Sequence, residues 1–153
     1  MPVTINHDAM NKFDVFTFLR HMYQLLSYYN DAEVNKTGVW NYFHLSEQLD
    51  ATGLYVNGNK EGEWIYYHEN GNMREKGLYD NGRKEGEWLN YHYDNGTIAS
   101  VETFLNDTLS GYCKYVCSNN KSSVEGLFAK GMPTGEWKSF YQDSILYTVG
   151  HYN

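Results

Sequence analysis

From Tyr29 onward, apolar and polar residues alternate in short runs closed by Asn-Gly or similar polar turns. A period of two marks a half-buried β-strand. Trp64, Tyr66 and His68 fall on one side of such a strand, with Ile65 and Tyr67 on the other. Trp88, Asn90 and His92 repeat that split, with Leu89, Tyr91 and Tyr93 opposite. Asn57-Gly58 and Asn81-Gly82 predict tight hairpin turns, because both residue types tolerate positive φ. Glu69-Asn70-Gly71-Asn72, Asp94-Asn95-Gly96-Thr97 and Ser118-Asn119-Asn120-Lys121 predict turns at the opposite end. Consecutive hairpins of this kind make an antiparallel meander of about ten strands. Residues 7–28 read differently. Phe13, Phe16, Leu19, Tyr23 and Leu26 recur at helical spacing, with Val15, Phe18, Met22 and Leu25 on adjacent faces. An N-terminal helix is expected there, either capping the sheet or binding a partner.

The strands repeat. Trp40, Trp64 and Trp88 are 24 residues apart; Cys113 falls 25 further on and Trp137 another 24. Five 24-residue β-hairpin units follow from this spacing, the signature of a repeat architecture. The clearest are residues 53–64, 77–88 and 126–137, each opening Gly-Leu-aromatic and closing Gly-Glu-Trp. Gly38, Gly62, Gly86, Gly111 and Gly135 precede the Trp slot by two residues and share its face. A glycine there is expected to let a neighbouring aromatic ring lie flat on the backbone.

These residues carry a resemblance. Gly53-Leu54-Tyr55, Asn57-Gly58, Lys60-Glu61-Gly62-Glu63-Trp64, Tyr66-Tyr67 and Glu69-Asn70-Gly71, repeated from Gly77 to Gly96, resemble the MORN (membrane occupation and recognition nexus) repeat superfamily. More closely, the chain is similar to bacterial MORN-variant proteins labelled antitoxin components. The resemblance covers about residues 29–153 and implies an elongated, mainly β sheet of stacked hairpins with a scaffold or protein-binding role. The fourth unit departs from it, with Glu102 in the leading Gly slot and Cys113 in the Trp slot. Residues 1–28, read as a helical cap on the 29–153 repeat sheet, fall outside it. Cap and sheet are expected to form one structural domain.

Composition narrows the function classes. The chain has 153 residues, 12 Lys and Arg against 19 Asp and Glu, and a formal charge of −7. That surface disfavours nucleic acid and anionic lipid, and favours a basic protein or a small ligand. A membrane-associated scaffold, which the superfamily name suggests, is the weakest expectation on the same ground. Aromatics make up 17% of the chain, including 15 Tyr, too many for disorder. No apolar run approaches the roughly 18 residues a membrane span needs. The first residues lack a basic then apolar leader, and a cytoplasmic location is expected. Cys113 and Cys117 lie four apart in a predicted strand, roughly 13 Å between Cα atoms, too far for a disulfide.

The same grid places His44, His68 and His92 four residues after each Trp, with Cys117 and Tyr141 in the next two units. Matched positions lie two strands apart, roughly 9–10 Å, whereas zinc ligands converge within about 2.3 Å of the ion. No shared metal and no cofactor are expected. A row of histidines could still make partner binding pH-dependent. Glu63, Glu87 and Glu136 are spaced too widely for paired-acid catalysis. Lys60-Glu61 and Lys84-Glu85 read as solvent-facing turn residues. Cys113 reads as a small packing residue, and no nucleophile or phosphate-loop motif occurs. No enzyme activity is expected. The candidate binding residues are Tyr66, Tyr67, His68, Tyr91, His92, Tyr93, Tyr115, Cys117 and Tyr141, because Tyr and Trp dominate interface hot spots. The function expected is a protein-binding module, of the antitoxin or anti-defence inhibitor kind, that sequesters another macromolecule. A small-ligand (nucleotide or metabolite) binder is the alternative. Dimerisation is expected through the N-terminal helix or the C-terminal sheet edge.

Overall fold

Type I′ turns set the register of the chain. Asn57, Asn81, Asn106 and Lys130 adopt φ of 49°, 48°, 50° and 52°, and Gly58, Gly82, Asp107 and Gly131 follow at 82°, 81°, 62° and 79°. This left-handed pair matches the twist of the strands it joins. The computed structural model describes residues 36–119, 121–141 and 145–153. The helix expected over residues 7–28 lies outside them.

Ten strands form one antiparallel sheet in sequence order. They are β1 (Gly38–Phe43), β2 (Leu49–Val56), β3 (Asn59–Tyr67), β4 (Met73–Asp80), β5 (Arg83–Tyr91), β6 (Ile98–Leu105), β7 (Thr108–Val116), β8 (Ser122–Ala129), β9 (Met132–Tyr141) and β10 (Ile145–Tyr152). The meander expected from the alternation is present, and no helix occurs among the described residues. The residue that stretches the third spacing to 25 is absorbed in the turn after β5. There the amide of Gly96 reaches back four residues to the His92 carbonyl, whereas Gly71 reaches back three to His68.

Trp40, Trp64 and Trp137 each sit opposite a Gly, and Trp88 opposite Glu102. Trp40 pairs with Gly53, Gly53 with Trp64, Trp64 with Gly77, and Trp137 with Gly150. On the side of the preceding strand the register slips by two residues. Gly53 faces Trp64 but Leu54 faces Glu61, so Gly62 and Glu63 bulge out of the ladder. Gly62 takes φ +66° in that bulge, and a Cβ on it would meet nothing within 4 Å. The expected role of the Gly two residues before Trp is therefore corrected. It supplies the positive φ of a bulge, a conformation costly for any L-residue. The ring lies instead on the Gly eleven residues before Trp.

That seat has three parts drawn from three successive residues. The indole of Trp64 lies flat on Gly53, its N–H donates to the Leu54 carbonyl at 3.0 Å, and Tyr55 meets it edge-on at 5.0 Å. Trp88 repeats this on Gly77, Leu78 and Tyr79, and Trp137 on Gly126, Leu127 and Phe128. Edge-on contact sets the positive rim of one ring against the negative face of the other. Trp64 and Trp88 are fully buried, and Ala51, Tyr55 and Tyr66 complete the core beside them. In the fourth unit Glu102 occupies the floor position and pairs with Cys113, which is fully buried. Glu102 carries a Cβ where the flat ring would lie. Loss of the Gly and loss of the Trp are thus one change in packing.

Candidate protein-binding face

Cross-strand pairing sorts the side chains onto two faces. The Trp face carries the core just described. On the opposite face, Val39 pairs with Leu54 and Leu54 with Glu61; Glu63 pairs with Leu78 and Leu78 with Glu85. The row continues through Glu87 with Thr103 and Tyr112 with Leu127. Val39 is 72% exposed, Leu78 51% and Leu127 48%, and Leu54 and Tyr112 are exposed as well. Leu54, Leu78 and Leu127 are held here by their backbones, because each carbonyl receives an indole N–H from the far side of the sheet. Their side chains contribute little to the core.

The carboxylates along this row divide by role. Glu61 accepts the amide of Asn81 at 3.0 Å and Glu85 that of Asn106 at 2.9 Å, so each holds the next turn. Glu136 is ion-paired with Lys138 at 2.8 Å, which draws its carboxyl below the usual range. Glu63 and Glu87 are exposed and make no ion pair among the described residues. The row therefore alternates exposed apolar groups with uncompensated acids.

The nine candidate residues named from sequence are not brought to one place. Tyr66 is buried on the Trp face, where it receives the Lys60 ammonium at 2.6 Å and shares a hydrogen bond with Tyr79 at 3.1 Å. Burial and that bond to Tyr79 push its pKa well above the ordinary phenol value. Tyr115 is on the same face, half-buried beside Cys113 and Glu102, and burial chiefly raises its pKa to about 12. Cys113 itself is raised, first by burial. Tyr67 and Tyr91 lie on the opposite face, half-buried, paired with Met73 and Ile98. Tyr141 is exposed at the end of β9, and Cys117 is an exposed free thiol just past β7.

The histidines form a latch at one end of the sheet. Nε2 of His44, His68 and His92 donates to the carbonyls of Tyr67, Tyr91 and Val116, at 3.0, 3.4 and 2.8 Å. A carbonyl only accepts, so each ring carries its proton on Nε2. Each bond ties one unit's corner to the residue just before the matching corner of the next. Asn70 and Asn95 repeat the tie with the carbonyls of Tyr93 and Ser118. Tyr93 also meets His68 edge-on at 5.0 Å. Among the described residues no group of three His, Cys, Asp or Glu could hold a metal ion.

Two features escaped the sequence. The Leu row was hidden because leucine in a strand reads as core. Lys60 and Lys84 were read as solvent-facing, yet both are half-buried on the Trp face, their ammoniums 4.5 Å from the Trp64 ring centre and 3.9 Å from that of Trp88. The signal for this was available: Lys36, Lys60 and Lys84 share the 24-residue grid.

The family model described as MORN repeat variant matches residues 60–81, from the strand of Lys60 and Trp64 to the turn at Asn81. No protein of curated function matches the chain. Residues 60–81 are thus similar to a MORN repeat variant, and the neighbouring hairpins repeat their geometry.

Proposed function

We propose that the chain is a non-enzymatic protein-binding module that engages a basic partner through the face opposite the tryptophans. The observation that carries this is the exposed row of Val39, Leu54, Leu78, Tyr112 and Leu127, with Glu63 and Glu87 uncompensated among them. Exposed apolar side chains repeated along one face are costly in water and gain free energy once a partner covers them. The acids at its centre favour a partner that brings lysine or arginine, and steer its approach. Such a module suits an antitoxin-like or anti-defence inhibitor that sequesters its target in the cytoplasm.

The test compares the chain with its Leu54→Ser, Leu78→Ser double variant in pull-downs from cell lysate at low and high salt. A protein retained by the parent, lost from the variant and weakened by salt is expected. Equal retention by both chains would sink this reading. The two side chains are exposed, so the variant is expected to unfold at the parent's temperature.

A further inference from the structure

The lysine slot four residues before each Trp position holds Lys36, Lys60 and Lys84, then Leu109 and Pro133. Pro133 precedes Trp137, whose floor, acceptor and edge contacts are all intact. The Trp seat therefore does not require an ammonium. Something else must account for a charge placed in a half-buried slot that leucine and proline also fill.

Lys60 and Lys84 line a shallow groove of about 400 Å³ on the Trp face, walled by Tyr55 and Tyr79 and rimmed by Asn59 and Asp107. Lys84 is neutralised by Glu75 at 3.0 Å. Lys60 is not: its ammonium donates to the Tyr66 hydroxyl, and among the described residues no carboxylate lies within salt-bridge distance of it. An ammonium has three N–H donors, so two remain for a ligand. Burial, with Lys84 and Lys36 nearby, depresses its pKa against the opposing pull of Glu75 and Asp50, and an anion beside it would add to that pull.

We propose that this groove binds the carboxylate of a small organic acid, with Lys60 as its charge partner and the tyrosine rings against its apolar body. Two ammoniums, Lys60 and Lys84, stand with two carboxylates, Glu75 and Asp107, so the groove has no surplus charge to hold a dianion. Lys84 is ion-paired with Glu75 and Asp107 stands on the rim, so a doubly charged phosphate would face two carboxylates with only the Lys60 ammonium outside an ion pair. The rings of Tyr55 and Tyr79 suit an acid with an apolar body over acetate. The site lies on the face opposite the proposed protein-binding row and is independent of it.

The test is a ¹H–¹³C NMR titration of the lysine side chains with benzoate, with acetate, inorganic phosphate and a blocked glutamate as comparison probes. Benzoate is expected to shift the Lys60 Cε resonance saturably, with half-saturation in the millimolar range. Lys76→Gln, on the opposite face, is expected to leave this unchanged. Lys60→Leu, which copies the residue at position 109, is expected to abolish the saturable response at the Tyr79 ring; Lys60→Gln serves if Lys60→Leu does not fold. A linear shift shared by all lysines, binding retained without Lys60, or tighter binding of phosphate or blocked glutamate than of benzoate would each overturn the proposal.

Discussion

The indole of Trp64 lies on the backbone of Gly53 so closely that a Cβ at residue 53 would fall 2.2 Å from its ring. Gly62, two residues before the same Trp, has open space where its Cβ would be and φ of +66°. The two glycines are required for different reasons, and substitution separates them. Gly53→Ala must displace a fully buried ring and is expected to cost about 3 kcal/mol or more. Gly62→Ala keeps the packing and carries only left-handed strain, about 1–2 kcal/mol. Urea unfolding of the two variants checks the order; equal losses would refute it.

The fourth unit offers a repair. Its bulge glycine Gly111 and its edge residue Phe104 remain, so only floor and ring are missing from the seat. Cys113→Trp alone is expected to destabilise, since Glu102 blocks the floor. Glu102→Gly alone loses the contact with Ser100 at 3.3 Å and leaves a gap. Together they are expected to be more stable than the sum of the single effects by over about 1 kcal/mol. A double-mutant cycle on thermal unfolding measures the coupling, and simple additivity would show that the seat is not shared.

Alkaline pH is expected to weaken the fold. Burial raises the pKa of Tyr66 and Tyr79, and sets Tyr112 and Tyr115 at about 12. An unfolded phenol titrates near about 10. The folded state therefore holds protons that the unfolded state releases, and stability falls as pH rises past about 10. Lys60, whose pKa is lowered, acts in the opposite sense, but one ammonium stands against four phenols. Urea midpoints at about pH 9 and about pH 11 should show the loss, and Tyr115→Phe should reduce it. A midpoint unchanged across that range would contradict the raised pKa of these hydroxyls.

The histidine row is expected to act on stability. His92 donates to Val116 at 2.8 Å and His68 to Tyr91 at 3.4 Å. His92→Ala should cost about 1 kcal/mol, and His68→Ala less, because the longer bond is weaker. Added zinc should leave the melting temperature of the parent unchanged. A zinc-dependent rise that His92→Ala removes would restore a metal role.

Much of this protein could be read before its structure. Alternation gave the strands, Asn57-Gly58 and Asn81-Gly82 gave the type I′ turns, and the Trp spacing gave the repeat. These features are local: each depends on the φ preferences and polarity of a few neighbouring residues. Tyr66 and Lys60 were misplaced because their surroundings come from other strands. Alternation tells which side a residue faces, not what stands beside it.

The sequence by itself determined the hairpin, its period and the position of every Trp on one face. The tertiary structure decided which glycine lies under each ring, which lysine is left without a carboxylate, and which leucines reach solvent. All three depend on cross-strand register. A two-residue bulge at Gly62-Glu63 shifts that register midway along the strand, on one side only. The energetics of that slip come from a contact eleven residues away, where the indole of Trp64 lies on Gly53 and bonds Leu54.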